Sequence, residues 1–253
     1  MMIKRVSFKN KRGLLLRGYV HEPKRYDTAV IFCHGFPSSS RGFTSPRIGK
    51  ALEDDFLVLR FNFSHTPASE GEFEDKLMSR EVEDIRAAID FLCKSFSFKK
   101  LVLIGHSTGA IDVALYAHRD KRVSKIILTG AVSDLKNAVR YDFTDGEVRE
   151  FWRKGFIIYH RPGTWAHKKK LRKAFYDEFF ILDIPRAIKK YRKPLLIIHV
   201  EKDVIPWDRE GYALYKIANR PKRFVLIKDA DHSFSNPKHW RQVLRHMKAF
   251  IKK

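Results

Sequence analysis

Short, largely apolar runs alternate with amphipathic stretches along most of this chain of 253 residues. The apolar runs lie at residues 28–33, 56–61, 101–104, 123–129 and 195–200. Residues 77–96 instead carry their apolar side chains at the three- and four-residue spacing of a helix. Because strands that alternate with helices join through right-handed crossovers, this order predicts an α/β fold with a mostly parallel sheet covered by helices on both faces.

The beginning of the chain and its middle depart from this alternation. Residues 3–9 and 14–20 flank a turn-forming Asn10-Lys11-Arg12-Gly13 and predict an antiparallel hairpin. From residue 134 to 192 the pattern is helical and aromatic, without a clear strand. The sheet pattern then resumes and ends in a helix at 238–252. We therefore predict a core of residues 1–133 and 193–253, with residues 134–192 inserted as a helical cap or lid.

The strand at 101–104 leads into Gly105-His106-Ser107-Thr108-Gly109, a match to the pattern G-x-S-x-G, and a helix-like stretch follows. A serine on a tight strand-to-helix turn adopts a strained backbone conformation, and the flanking glycines let the chain pass closely. The turn exposes the hydroxyl beside the free N–H groups of the helix. The motif predicts that Ser107 is a nucleophile.

A serine hydroxyl needs a base to take its proton and a carboxylate to orient that base. In this type of sheet the three residues occur in the order Ser, Asp or Glu, His. Asp203 follows the strand at 195–200, and His232 follows the strand at 224–227. We interpret Ser107, Asp203 and His232 as a catalytic triad. The alternative acids in the same loops are Glu201, Asp208 and, less well placed, Asp231.

Acyl transfer also requires donors for the oxyanion that forms on the carbonyl oxygen. The residue after the nucleophile supplies one backbone N–H, here that of Thr108. The loop after the strand at 28–33 supplies the other, and we expect it to be the N–H of Phe36. In this interpretation Gly35 lets the loop turn, while His34 and His106 support the site and do not act as bases.

The charge is strongly basic, since 51 Lys and Arg against 29 Asp and Glu give +22. Residues 149–193 hold 14 Lys and Arg against 4 acids, interleaved with aromatic residues. That mixture fits an acyl or aryl pocket, the core of the cap itself, or a polyanion surface. We expect no nucleic-acid partner, because no recognised nucleic-acid module accompanies the charge. A single glutamine beside 32% charged residues resembles thermophilic proteins.

These motifs resemble the α/β-hydrolase superfamily, close to its cinnamoyl/feruloyl-esterase-like and serine-aminopeptidase-like branches. The matching stretches are His34-Gly35-Phe36, residues 60–64, residues 69–73, residues 105–109, residues 203–206 and residues 231–234. The resemblance covers the predicted core and not residues 134–192. It implies an eight-stranded sheet whose second strand is antiparallel, a cap, no cofactor, and ester cleavage through an acyl-enzyme.

The sequence thus predicts a serine esterase with a small-molecule ester substrate, possessing neither cofactor nor metal site. Two alternatives stay open: an amide or thioester hydrolase on the same triad, and a non-catalytic polyanion-binding protein. No apolar run is long enough to span a membrane, and the first residues lack the apolar segment of a signal peptide, so we expect a cytoplasmic protein. The sequence does not specify the acyl preference or the oligomeric state.

Overall fold

The computed structural model describes residues 2–253, and most of its strands belong to one sheet. In chain order the strands are β1 (Met2–Lys9), β2 (Leu15–Glu22), β3 (Thr28–Cys33), β4 (Leu57–Phe61), β5 (Lys100–His106), β6 (Val123–Thr129), β7 (Phe156–Tyr159), β8 (Lys169–Arg172), β9 (Leu195–Lys202) and β10 (Lys222–Asp231). Eight of them form the main sheet in the order β1-β2-β4-β3-β5-β6-β9-β10. β2 runs antiparallel to both of its neighbours, β1 and β4. All pairs from β4 to β10 are parallel. This confirms the predicted fold class.

Helices cover both faces of this sheet because its central strands are buried on both sides. The helices are α1 (Thr44–Leu52), α2 (Met78–Ser95), α3 (Thr108–Tyr116), α4 (Leu135–Asp142), α5 (Asp145–Lys154), α6 (Lys173–Ile181), α7 (Ile184–Lys190), α8 (Gly211–Ile217) and α9 (Pro237–Lys252). Along β3, Ala29 and Ile31 pack into the core with α2 and α3. Val30 and Phe32 pack into the second core with α1 and α9. The central strands, including the one that leads to Ser107, are therefore enclosed by a packed layer on each face.

The segment of residues 134–192 connects β6 to β9 and holds α4 to α7 together with the hairpin β7–β8. The expectation of helices alone in this segment is wrong on that point. In β7 the side chains of Ile157 and Tyr159 are buried and that of Ile158 is exposed. In β8 only Leu171 is buried, so four residues with one apolar side chain carry too little pattern to indicate a strand.

Exposed ion pairs join this hairpin to a short 3-10 helix at Phe73–Asp75, which precedes α2. Arg172 contacts Glu74 at 2.7 Å and Asp75 at 3.0 Å, and Lys170 contacts Glu74 at 3.1 Å. The aromatic side chains of the segment continue the core that α2 and α3 form with the sheet. The segment thus packs on the body of the protein rather than standing away from it. No helix within residues 2–253 has the length and apolar character needed to cross a bilayer.

Candidate active site

Ser107 stands between the end of β5 and the start of α3, with φ of +57° and ψ of −125°. Such a backbone conformation is strained for any residue with a side chain, and strained residues cluster at functional sites. The turn is also tightly enclosed. A β-carbon on Gly105 would lie 2.3 Å from the Gly109 carbonyl oxygen, and one on Gly109 would lie 2.2 Å from that of Cys33. Glycine at both positions therefore permits the turn that carries Ser107.

Asp203 and His232 meet just past the ends of the neighbouring parallel strands β9 and β10. Nδ1 of His232 lies 2.8 Å from each carboxylate oxygen of Asp203. The Asp203 side chain is 1% exposed, and it also accepts a hydrogen bond from the Ile205 amide at 3.0 Å. Burial opposes ionisation of this carboxyl, but the hydrogen bond and charge of His232 outweigh burial and lower the pKa of Asp203. Asp203 is thus held as a carboxylate against the imidazole.

His232 lies beside the serine turn. Its ring centroid is 4.9 Å from that of His106, the residue before Ser107. Within the described part of the chain, the hydroxyl of Ser107 makes no hydrogen bond to His232. Catalytic hydrogen bonds of this kind are often long without substrate and shorten in the reacting complex. The structure therefore joins Asp203 to His232 directly and places both next to the turn that carries Ser107.

The loop after β3 packs against the same turn. A β-carbon on Gly35 would lie 2.8 Å from Cβ and 3.4 Å from Oγ of Ser107, so only glycine allows this approach. Phe36 follows in this loop, and Thr108 begins α3. The first N–H groups of a helix have no partner within it. Outside the regular elements of residues 2–253, neither the amide of Phe36 nor that of Thr108 donates a hydrogen bond to a backbone carbonyl oxygen.

His34 and His106 are both buried beside this turn. Nδ1 of His34 lies 2.9 Å from the Gly35 carbonyl oxygen, and Nδ1 of His106 lies 2.9 Å from Thr129 Oγ1. Burial lowers the pKa of each imidazole to about 3. The hydrogen bond of His34 lies within its own loop, and that of His106 ties the serine turn to β6.

Two further residues at the site were missed by sequence reasoning. Gly130, with φ of +60°, faces Cε1 of His232. His199 is fully buried in β9, with Nδ1 3.9 Å from Asp203 Oδ2, and burial lowers its pKa. The one signal in the sequence that could have indicated either of them is that Gly130 directly follows a predicted strand.

Within residues 2–253, no group of three or more His, Cys, Asp or Glu side chains is arranged to hold a metal ion.

Comparison with known proteins agrees with this architecture. The model of the alpha/beta hydrolase fold family matches residues 28–157, which is more than half of the chain. The chain belongs to this family. It is 27% identical over 217 residues to the bifunctional esterase/perhydrolase DCH of Acinetobacter calcoaceticus, covering 72% of this chain and 77% of that protein.

Solved structures are similar over nearly the whole chain. The esterase domain of a Rhodothermus marinus protein shares 25% identity at a TM-score of 0.74, with 99% of this chain and 98% of that chain covered. Est1E of Butyrivibrio proteoclasticus, solved with ferulic acid bound, shares 21% identity at a TM-score of 0.80, with 98% and 100% covered. The latter likeness concerns the fold alone. Relatives with esterase names and the hydrolase fold together support a hydrolase.

Proposed function

We propose that this protein is a serine hydrolase that cleaves carboxylic esters through an acyl-enzyme. The observation that carries the proposal is the 2.8 Å hydrogen bond between Asp203 and His232 beside the strained turn of Ser107. A buried carboxylate that accepts from Nδ1 leaves Nε2 of the imidazole free to act as a base. Esterase-named relatives support the choice of an ester as substrate.

In the first half of the reaction, Oγ of Ser107 attacks the acyl carbon while Nε2 of His232 takes the hydroxyl proton. The amides of Phe36 and Thr108 stabilise the resulting oxyanion. When the tetrahedral adduct collapses, the bond to the ester oxygen breaks, and His232 gives its proton to the leaving alcohol. Asp203 holds the imidazole in the reactive tautomer and stabilises its cationic form.

In the second half, a water molecule attacks the acyl-enzyme. His232 takes a proton from this water, and when the ester bond to Ser107 breaks it gives that proton to Oγ of Ser107 as the carboxylic acid leaves. Each proton that His232 accepts is therefore returned within the cycle, and the reaction consumes only the ester and water. No group other than the named side chains and amides is required.

We further propose that the 134–192 segment acts as a cap over this site and sets acyl selectivity. Its support is contact with the loop that carries the Phe36 amide: the rings of Tyr159 and Phe175 lie 5.1 Å and 5.7 Å from the ring of Phe36. An aromatic wall of this kind suits an aryl or acyl group. Aryl esters belong in the substrate panel because Est1E was solved with ferulic acid.

The test is labelling with a fluorophosphonate together with turnover of a p-nitrophenyl ester series. Wild type should be labelled and active, while Ser107→Ala should lose labelling and at least about 10³-fold of kcat without a change in its circular dichroism spectrum. Ser95→Ala, a change at an exposed serine at the end of α2, is the matched control and should behave as wild type.

Turnover that survives Ser107→Ala would refute the mechanism. Absence of labelling in folded wild type would favour a non-catalytic, polyanion-binding protein. A matched ester, thioester and amide of one acyl group separate the remaining alternatives, since an amidase or thioesterase would process its own substrate at the higher kcat/KM.

A further inference from the structure

The side chain of Phe36 is enclosed by aromatic rings from two parts of the chain. Its ring centroid lies 6.0 Å from that of Phe73, with the planes inclined by 17°. Tyr159, Trp165 and Phe175 of the 134–192 segment approach it at 5.1, 6.4 and 5.7 Å. Pairs of rings at these separations attract each other beyond the area they bury. Three of the four rings that hold Phe36 therefore come from the segment and not from the sheet or its helices.

A hydrogen bond from the segment also holds this loop at Ser38, two residues after Phe36. Nε1 of Trp165 donates a hydrogen bond to the carbonyl oxygen of Ser38 at 3.0 Å. The amide of Ser38 in turn donates to the Gly35 carbonyl oxygen at 3.0 Å, which closes the loop into a tight turn. Trp165 thus contacts the loop twice, through its ring at Phe36 and through its N–H at Ser38.

The opposite side of this turn touches the nucleophile. Gly35 approaches Ser107 so closely that a β-carbon there would lie 2.8 Å from the serine Cβ. The free amide of Phe36 is one residue away. A displacement of the turn by a fraction of an ångström would therefore change the distance between that amide and an oxyanion formed at Ser107. Misplacement of reacting groups by about 1 Å can cost about 100-fold in rate.

The segment is itself fastened near Phe73. Arg172 of β8 pairs with Glu74 and Asp75, the two residues that follow Phe73. The hairpin β7–β8, the short helix at Phe73–Asp75 and the Phe36 ring consequently form one packed unit. Below the ring lies Nζ of Lys76, 4.9 Å from its centroid and buried in an ion pair with Glu81. The position of Phe36 is therefore set by its partners from several directions.

We propose that Trp165 is a positioning residue for the oxyanion loop, so that the 134–192 segment controls the rate of the chemical step as well as the choice of acyl group. This inference rests on the proposed function, because it assigns the Phe36 amide to the oxyanion. The ring and N–H of Trp165 act on the loop and do not touch the reacting atoms.

The test compares Trp165→Phe, which keeps a ring and removes the N–H, with Trp165→Leu, which removes both. The matched control is Trp152→Phe. Trp152 lies in the same segment, is 68% exposed, and its ring packs against Lys173 Nζ at 4.0 Å, away from the loop. We expect kcat to fall about 10-fold in Trp165→Phe and further in Trp165→Leu, with KM within about twofold of wild type. Trp152→Phe should match wild type.

A second readout reports the oxyanion site directly. Benzeneboronic acid forms a tetrahedral adduct on a serine hydroxyl. In the Trp165 variants its inhibition constant should therefore rise by about the same factor by which kcat falls. Phe36→Leu keeps the backbone amide and removes the ring contacts, and it should show the same pattern if Trp165→Leu does not fold. Rates are expressed per fluorophosphonate-labelled site, so that a loss of folded protein does not count as a loss of kcat.

Three results would overturn the inference. A rise in KM with unchanged kcat would make Trp165 a wall of the binding pocket. A lower melting temperature with unchanged kcat and unchanged boronate inhibition would make it merely structural. Equal losses in Trp152→Phe would mean that the effect is not specific to the loop. In each case an inactive Ser107→Ala would leave the proposed function standing, whereas an active Ser107→Ala would remove that function itself.

Discussion

Gly130 and His232 stand so close that a β-carbon on Gly130 would lie 2.9 Å from Cε1 of the imidazole. Real β-carbons do not approach other atoms at that distance, so a side chain at residue 130 must displace the ring. We predict that Gly130→Ala loses at least about tenfold of kcat, because the imidazole can no longer occupy its place beside Asp203 and Ser107. Steady-state kinetics on a p-nitrophenyl ester measure this loss.

Gly13→Ala is the matched control for that change. Gly13 has φ of +80°, and a β-carbon added there would have nothing within 4 Å, so alanine meets backbone strain but no neighbour. Both variants should lose about 1 kcal/mol of unfolding free energy from the left-handed backbone, and only Gly130→Ala should lose activity. Equal kcat in the two variants would show that His232 needs no such space.

Asp203→Asn should lower kcat by about 10³- to 10⁴-fold while the protein stays folded. The amide can pair with the imidazole but favours the wrong tautomer, which leaves Nε2 unable to accept the proton of Ser107. The measurement is kcat with active sites titrated by slow fluorophosphonate labelling. Asp208→Asn, a change at an exposed acid in the same loop that makes no contact with His232, should keep wild-type kcat. If Asp208→Asn were the damaging change, the acid would have to be reassigned.

His106 links the active site to acid stability. Its pKa is about 3 in the folded protein against an ordinary value of 6.5, because burial disfavours the cation. Below pH 6.5 the unfolded chain therefore binds a proton that the folded chain does not, and the free energy of unfolding falls as the pH drops from 6.5 towards 3. The slope for one such group approaches about 1.4 kcal/mol per pH unit.

His106→Asn keeps a hydrogen-bonding partner for Thr129 and removes the titrating ring. Urea unfolding at several pH values between 7 and 4 should therefore show a shallower loss of stability in this variant than in wild type. Ser95→Ala, a change at an exposed residue that does not titrate, should leave the wild-type slope unchanged. A slope in His106→Asn equal to that of wild type would mean that the buried ring does not contribute to acid unfolding.

The sequence predicted those features that depend on local pattern and strand order. Ser107, Asp203 and His232 each follow an apolar run, and parallel strands bring such positions to one edge of the sheet. The fold class follows from the same alternation. The turn at residues 10–13 predicted that β2 runs antiparallel to β1. Only the antiparallel pairing of β2 with β4 came from the resemblance to a family, because nothing in residues 14–20 indicates the direction of that second neighbour.

Other features depend on contacts between distant residues, and no local pattern reports them. The space that Gly130 leaves for His232 joins residues 102 positions apart, and the sequence at 130 shows only a glycine after a strand. The sequence around His199 indicates only that it belongs to an apolar strand. It does not indicate that Nδ1 of His199 lies 3.9 Å from Oδ2 of Asp203. The hairpin β7–β8 was missed because Leu171 is the one buried side chain of its second strand.

The contacts of the 134–192 segment with Phe36 and Ser38 have a consequence for evolution and for engineering. A segment taken from another hydrolase would bring new rings against residue 36 and a new partner, or none, for the Ser38 carbonyl oxygen. Such a graft would retune the catalytic loop even if every residue near Ser107 were kept. On the roles proposed for the segment, substrate range and catalytic speed are inherited together, and a productive exchange has to carry residues 36 and 73 along with the segment.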